Sequence, residues 1–315
     1  MKYQILQGDN RLTLKTIADN SIDAIVTDPP YGIDFLGKSW DANTGALETY
    51  QECLRVLKPG GHILAFSAAR TYHHLAVTLE QAGFEIRDQI MWIYSSGFPK
   101  SQDIGKSIQR SNKNEEPNDW LGWGTALKPA HEPIALARKP MRGSIKDNVL
   151  KWGTGALNID ATRVNNGDWE PRFPSNVIGE ILQADYQKYF YCPKVSRKER
   201  HSGFDTTNIA TNPNGMWDDG VQFQNQQAFS GATEKGNNHP TVKPIELMKY
   251  LIKLITPPGG IVLDPFNGSG STGCAAVELG FEYIGCELDP AYVEIAKKRI
   301  EAWNKQDNTY EELFE

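Results

Sequence analysis

Cysteine is scarce. The 315 residues include four, Cys53, Cys192, Cys274 and Cys286, spread far apart with no Cys-x-x-Cys pair. That spacing sets aside a zinc site or a disulfide framework and predicts buried free thiols in a reducing cytoplasm. Long apolar runs are lacking too: no stretch approaches the roughly 20 residues of a membrane span. The opening Met1-Lys2-Tyr3-Gln4-Ile5-Leu6 enters a strand-like run directly, without the pattern of a signal peptide. Internal repeats and low-complexity tracts are also absent, which leaves one large α/β domain or a core domain carrying an insertion. Positive charge is not in excess. Lys and Arg number 33 against 39 Asp and Glu, a net charge of −6, which by itself argues weakly against a nucleic-acid partner. The distribution partly reverses that reading. Residues 100–200 hold 17 basic and 12 acidic side chains, so a locally basic stretch sits within an acidic chain and could meet phosphates.

What is present is a strand–helix alternation at both ends of the chain. Short strands are expected at Ile5–Asp9, Ser21–Thr27, His62–Ser67 and Glu85–Tyr94. Helices are expected at Arg11–Ala18, Leu47–Leu57 (stopped by Lys58-Pro59-Gly60-Gly61) and Thr71–Ala82 (closed by Gly83). From about Ser95 to Asn238 the pattern dissolves into Asn, Gly, Pro, Trp and basic residues, with short periodic pieces at Glu132–Arg138 and Tyr186–Tyr191. So long an irregular region is usually functional or partly disordered. Alternation resumes with helix Ile245–Ile255, strand Ile261–Leu263, helix Ser271–Leu279, strand Tyr283–Glu287 and helix Ala291–Trp303. The acidic tail after Lys305 is expected to fray. The pattern predicts an α/β fold of Rossmann-like character, with a mostly parallel sheet, helices on both faces and a long irregular insertion. Its divisions are 1–99, 100–238 and 239–315.

Two segments carry chemistry. Asp264-Pro265-Phe266-Asn267-Gly268-Ser269-Gly270-Ser271-Thr272 follows one apolar strand. Strand, glycine-rich loop and helix form the arrangement that binds nucleotide-like ligands at a helix N-terminus. This loop has neither the Gly-Lys-Ser/Thr of a phosphate loop nor the Gly-x-Gly-x-x-Gly of a dinucleotide site. Glu287 ends the next strand, at about the 20-residue distance where dinucleotide folds place a ribose-binding carboxylate. Asp28-Pro29-Pro30-Tyr31 ends another apolar strand. A base amine is a poor nucleophile because its lone pair is delocalised into the ring. Acceptors at its N–H positions favour pyramidal nitrogen and absorb the developing positive charge. Asp28 can supply a carboxylate oxygen and Pro29 a carbonyl. The two prolines stiffen the backbone, and Tyr31 offers a stacking face. Either segment alone is as often a simple turn; both together, in this order, point to methylation of an amino group. His131-Glu132 is read as structural, near the cleft, because adjacent residues on a strand point to opposite faces and make poor metal ligands. No metal is expected.

On these motifs the chain resembles the β-class of S-adenosylmethionine-dependent DNA amino-methyltransferases, in which the catalytic motif precedes the cofactor motif. Gly8-Asp9 and His239-Pro240-Thr241-Val242-Lys243-Pro244 also match. Gly37–Asp41, Ser95–Ser101 and Leu127–Pro133 are similar to stretches of phage and prophage DNA methylases. The resemblance implies S-adenosyl-L-methionine as cofactor, held by Asp9, Thr241, Lys243, Asp264, Phe266, Asn267, Gly268, Ser269, Gly270 and Glu287, with Thr241 and Lys243 at its carboxylate. It implies that Asp28, Pro29, Pro30 and Tyr31 hold a flipped base, and that 100–238 is an inserted target-recognition region. Lys38, Trp40, Arg163, Arg172, Lys194, Arg197, Lys198 and Arg200 are candidates for contact with double-stranded DNA. Asp28 favours adenine N6 as the target, since cytosine-N4 relatives more often have Ser there; cytosine N4 is the alternative. RNA, a protein amide or DNA binding without turnover stand further off. Glutamine methyltransferases carry Asn-Pro-Pro-Tyr, but after the cofactor motif. Family members often pair, so a homodimer is left open, as is a restriction endonuclease partner.

Overall fold

The computed structural model describes residues 3–33, 44–94, 101–111, 119–164, 170–179, 195, 197–204, 236, 237, 239 and 241–311. Lys38, Trp40, Lys194, Cys192 and the Tyr186–Tyr191 piece lie outside them. The strands are β1 (Tyr3–Gln7), β2 (Ile22–Thr27), β3 (Leu57–Phe66), β4 (Glu85–Ile93), β5 (His131–Arg138), β6 (Val177–Gly179), β7 (Ile261–Asp264) and β8 (Glu282–Glu287). They form one sheet in the order β1-β8-β7-β2-β3-β5-β4-β6. Every neighbouring pair is parallel except those that β5 makes with β3 and β4, so β5 alone runs against the rest. The architecture is α/β with a mostly parallel sheet.

The helices are α1 (Asn10–Thr13), α2 (Leu47–Val56), α3 (Tyr72–Ala82), α4 (Ile104–Ser111), α5 (Ile145–Trp152), α6 (Arg197–Arg200), α7 (Ile245–Ile255), α8 (Ser271–Glu278) and α9 (Pro290–Glu311). Period-two side-chain alternation splits the core between the two faces of the sheet. Ala24 and Val26 of β2 and Leu64 and Phe66 of β3 join α7, α8 and Ile300 of α9 on one face. Ile25, Ile63 and Ala65 join Tyr50, Cys53 and Val56 of α2 and Leu75 and Leu79 of α3 on the other. Every residue of β2 is buried, as expected for a central strand covered on both sides. On α7, Met248, Leu251, Ile252 and Ile255 repeat at helical spacing and are all buried. Truncating Leu251 to Ala would cost about 2–5 kcal/mol through lost burial and the cavity left behind. Cys53, Cys274 and Cys286 are free and buried. No described helix is long and apolar enough to cross a membrane.

Three expectations need correction. The strand expected from His62 begins at Leu57, so Lys58-Pro59-Gly60-Gly61, which does stop α2, lies within β3. The strand tolerates this by slipping register against β2, where Ile22 faces Leu57 but Ala24 faces His62. Gly60 takes up a left-handed φ of +78°, and the Asn148 and Thr154 side chains satisfy the Pro59 carbonyl. Residues 100–238 are not simply an insertion, because they supply β5 and β6, and β5 lies inside the sheet between β3 and β4. Finally, α9 continues past Trp303 and Lys305 to Glu311.

Topology defines the crevice. From β7 the chain moves outward to β8, and from β2 it moves the other way to β3. The helices that follow, α8 and α2, therefore pack on opposite faces. Such a switch point leaves an opening beyond the carboxyl ends of the strands. Because β5 is antiparallel, its N-terminal residues His131 and Glu132 reach that same edge.

Candidate active site

A cavity of about 1530 Å³ occupies the crevice, lined among others by Asp9, Asp28–Tyr31, Glu132, Lys243, Asp264–Ser269 and Glu287. The two motifs 236 residues apart in sequence open into one space because β2 and β7 are neighbours.

The glycine-rich loop is fixed from below. Asp264 is buried, and both of its carboxylate oxygens are occupied: Thr27 Oγ1 and the Phe266 N–H donate to Oδ1, and Thr272 Oγ1 donates to Oδ2. It thus ties β2 and β7 to the start of α8. Burial pushes its pKa up to about 6, against these hydrogen bonds. Asn267, also buried, accepts from Tyr283 Oη at 2.7 Å and donates to the Gly268 carbonyl. Gly268 and Gly270 sit at φ +51° and +79°, where a side chain is strained. A Cβ on Gly268 would lie 2.9 Å from His239 Nε2. Ser269 is held by Arg299, which donates to its carbonyl at 2.6 Å and its hydroxyl at 3.0 Å. Arg299 is completely buried on α9 and reaches the Glu199 carbonyl of α6 with its other terminal nitrogen.

Glu287 stands at the loop's edge. Its two oxygens accept the Gly268 and Asp289 N–H groups, each at 2.8 Å, and burial raises its pKa to about 7. Each oxygen keeps a lone pair for a further donor. On the neighbouring strand end, Asp9 caps α1 by accepting the Arg11 N–H and forks with the Arg11 guanidinium, which lowers its pKa. Asn10 bridges from Thr49 of α2 to the Pro265 carbonyl. The Phe266 ring packs against Tyr50, centroids 6.3 Å apart.

At the other end, four side chains converge. Tyr31 Oη lies 2.8 Å from both Asp28 Oδ1 and Glu132 Oε2, and it carries one proton for the two carboxylates. Lys243 Nζ lies 2.7 Å from Asp28 Oδ2, 3.0 Å from Tyr31 Oη and 3.3 Å from Glu132 Oε2. Burial alone would lower the pKa of this ammonium; the charges of Asp28 and Glu132 outweigh it and raise it. Burial, then the same two carboxylates, holds the Tyr31 phenol well above its ordinary range. Phe66 lies under Lys243, 4.9 Å from ring centroid to ammonium. Tyr94 Oη reaches Glu132 Oε1 at 3.4 Å.

Several expectations meet a different geometry. Lys243, expected at a cofactor carboxylate, pairs with Asp28 and Glu132. Thr241 lines the cavity, and its carbonyl meets His239 Nδ1 at 2.7 Å. Burial depresses the pKa of His239 to about 4, so its ring is neutral near pH 7. Glu132, read as structural and near the cleft, lines the cavity and joins the cluster by holding Tyr31 and Lys243; its contact with Tyr31 across 101 residues left no mark in the sequence. Arg299 was likewise missed. Arg200, expected to face DNA, is partly buried and donates to the His239 carbonyl, while Asn237 donates to the Arg200 carbonyl. Arg163 and Arg172 are exposed: Arg172 bridges to the buried Val164, and Arg163, beside it, is ion-paired to Asp160. The backbone of Arg197 and Lys198 belongs to α6; their side chains lie outside the described residues.

An acceptor-rich pocket for an amine and a glycine loop with a carboxylate suited to ribose, opening into one crevice of this fold, define an S-adenosylmethionine-dependent amino-methyltransferase. The comparisons sharpen this. Residues 22–298 match the DNA methylase family of N6 and N4 methyltransferases, and the chain belongs to that family. It is 27% identical over 342 residues to the type II methyltransferase M.HindIII of Haemophilus influenzae, covering 94% of each chain. It is 27% identical over 308 residues to the DNA adenine methyltransferase YhdJ of Escherichia coli, covering 94% of this chain and 82% of the relative. The solved structure of the M1.HpyAVI–SAM complex shares the fold with a TM-score of 0.51 at 22% identity, covering 94% of this chain and 99% of the other. The cofactor of the family is S-adenosylmethionine. The residues present fit it: the left-handed Gly268 and Gly270 leave the backbone bare, and Glu287 retains acceptor capacity beside them.

Proposed function

We propose that this chain is a sequence-specific DNA methyltransferase acting on the exocyclic N6 amine of an adenine turned out of the duplex. The observation that carries the reading is the Asp28–Pro29 acceptor pair at the end of β2, opening into the same cavity as the Gly268–Gly270 loop. The naming of YhdJ as an adenine methyltransferase supports the choice of base.

Glu287 would accept the ribose hydroxyls of the cofactor, and Gly268, Ser269 and Gly270 would cradle its amino-acid part, with Phe266 along its flank and Asp9 near the adenine. When bound, S-adenosylmethionine supplies an electrophilic methyl on a sulfonium sulfur. Asp28 and the Pro29 carbonyl would accept the two N–H groups of the target amine and favour its pyramidal form. During transfer the Asp28 carboxylate would stabilise the positive charge that develops on the amine nitrogen. The amine then sheds one proton to Asp28 or to water; no covalent link to the enzyme is needed. Tyr31 offers the face on which the base stacks, pinned through its hydroxyl by Asp28 and Glu132. Unstacking the base costs a few kcal/mol, which contacts to phosphate and to the orphaned partner would offset. The basic middle stretch, with Arg163 and Arg172 exposed, would supply those contacts and read the site.

The test is methyl transfer in vitro. Purified protein is given methyl-labelled S-adenosylmethionine and, separately, unmethylated duplex DNA, RNA and a protein extract. Label in DNA, recovered as N6-methyladenine, is the expected result. Label recovered as N4-methylcytosine would change the base and keep the mechanism. Label confined to RNA or protein would overturn the proposal.

A further inference from the structure

Asp28 and Lys243 come from opposite ends of the chain, 215 residues apart, yet their charged groups lie 2.7 Å from one another. Both line the cavity. An acceptor and a donor thus stand side by side where the target base must sit. The Watson–Crick edge of adenine presents the complementary pair: the amino N–H donates, and the adjacent ring nitrogen N1 accepts. Cytosine presents the same order with N4 and N3. Guanine and thymine present the reverse, a carbonyl acceptor beside a ring N–H donor, and would set acceptor against acceptor and donor against donor.

We propose that Lys243 reads the ring nitrogen beside the target amine, so that Asp28 and Lys243 form one acceptor–donor pair matched to the edge shared by adenine and cytosine. This rests on the base-methylating reading above and deepens it. The ammonium has three protons, directed here at Asp28, Tyr31 and Glu132. The contact to Glu132 is the longest, at 3.3 Å, and is the one the ring nitrogen replaces. Glu132 then stays bound to Tyr31. The charge is worth placing here: a hydrogen bond from an ammonium in a buried pocket is roughly twice as strong as one between neutral groups. It also gives the N1 lone pair a partner that transfer from water would otherwise take away. The pair explains how one site excludes guanine and thymine while leaving adenine and cytosine to be separated by pocket size alone.

The test places the target adenine opposite an abasic site, within a duplex carrying the mapped recognition sequence, so that pairing strength does not enter. Single-turnover methylation is compared for adenine and for 1-deazaadenine, in which a C–H replaces N1, with wild type and with Lys243→Met. Wild type is expected to lose about 10- to 100-fold on 1-deazaadenine, the range of one charged hydrogen bond. Lys243→Met is expected to lose a similar factor on adenine and no more than about twofold further on 1-deazaadenine, since the contact is already gone. Wild type indifferent to N1 overturns the inference, and this arm needs no variant that might fail to fold. Losses that multiply overturn it as well. Weaker binding of S-adenosylmethionine by the variant, with binding of 5′-methylthioadenosine unchanged, would place the ammonium at the cofactor carboxylate instead. No transfer to any DNA base by wild type would overturn the base-methylating reading itself, and the inference with it; transfer that ignores N1 overturns the inference alone.

Discussion

Glu287 makes cofactor binding a titration. Its carboxylate is held by two backbone N–H groups, but burial outweighs them and raises its pKa from 4.5 to about 7. A protonated Glu287 presents a donor where the ribose hydroxyls need an acceptor, so binding must first remove the proton. The apparent Kd is then multiplied by one plus the ratio of protonated to ionised enzyme. With a pKa near 7, that factor is about 2 at pH 7, about 11 at pH 6 and roughly 100 at pH 5, or about 1.4 kcal/mol per pH unit. Calorimetry with 5′-methylthioadenosine reads this cleanly, because that ligand lacks the titrating amino-acid groups of the full cofactor. Asp264, with a pKa of about 6, titrates in the same window, so Glu287→Gln is the necessary comparison. The variant is expected to bind more weakly than wild type at pH 8 and to show a flat profile down to pH 5. A wild-type Kd that stays constant between pH 8 and pH 5 refutes the reasoning. A slope that persists in Glu287→Gln assigns the titration elsewhere.

Asp264→Asn tests the clamp below the loop. Its folded pKa of about 6, against 3.8, means the unfolded chain ionises first. Its contribution to stability is therefore present below about pH 4 and lost as pH rises through about 6, a change on the order of 3 kcal/mol. Urea unfolding at pH 4.5 and 7.5 should show a smaller difference for the variant than for wild type. Gly268→Ala forces a side chain to φ +51° and puts its Cβ 2.9 Å from His239 Nε2; a loss of about 1–3 kcal/mol in unfolding free energy is expected, with cofactor affinity down about tenfold or more. Glu132→Gln removes one of the two carboxylates that pin Tyr31 and Lys243. Single-turnover methylation should fall about 10-fold, with the cofactor Kd unchanged; an unchanged rate would make Glu132 a bystander.

Strand ends were the legible part of this molecule. In a parallel sheet the carboxyl ends gather at one edge, so motifs that end apolar runs at Thr27, Asp264 and Glu287 were bound to meet if the strands were neighbours. Local spacing also carried the glycine loop and α7, whose apolar stripe repeats at helical intervals. What stayed hidden depends on pairings that no local pattern encodes. Pro133-Ile134-Ala135-Leu136-Ala137 reads as a short apolar piece, but nothing in it says that it enters the sheet backwards and carries Glu132 to the site. Lys243 could be placed beside an anion by its motif; which anion depends on a contact across 215 residues. Arg200 stood in a run of basic residues, which signals charge and says nothing of burial, and α6 turned it inward. Arg299 lay within a helix where Glu294, Lys298 and Glu301 are exposed, so its burial beneath Ser269 left no mark in the sequence.

The central claim is that Asp28 and its neighbours methylate a base amine in DNA. Its most direct test is nucleoside mass spectrometry on DNA from a methylation-deficient host expressing this chain, beside the same host expressing Asp28→Ala. The expected result is N6-methyladenine with wild type and none with the variant, both proteins being soluble and binding S-adenosylmethionine. DNA free of any methylated base in the presence of soluble, cofactor-binding wild type would contradict the account. So would a mark that survives in the Asp28→Ala cells.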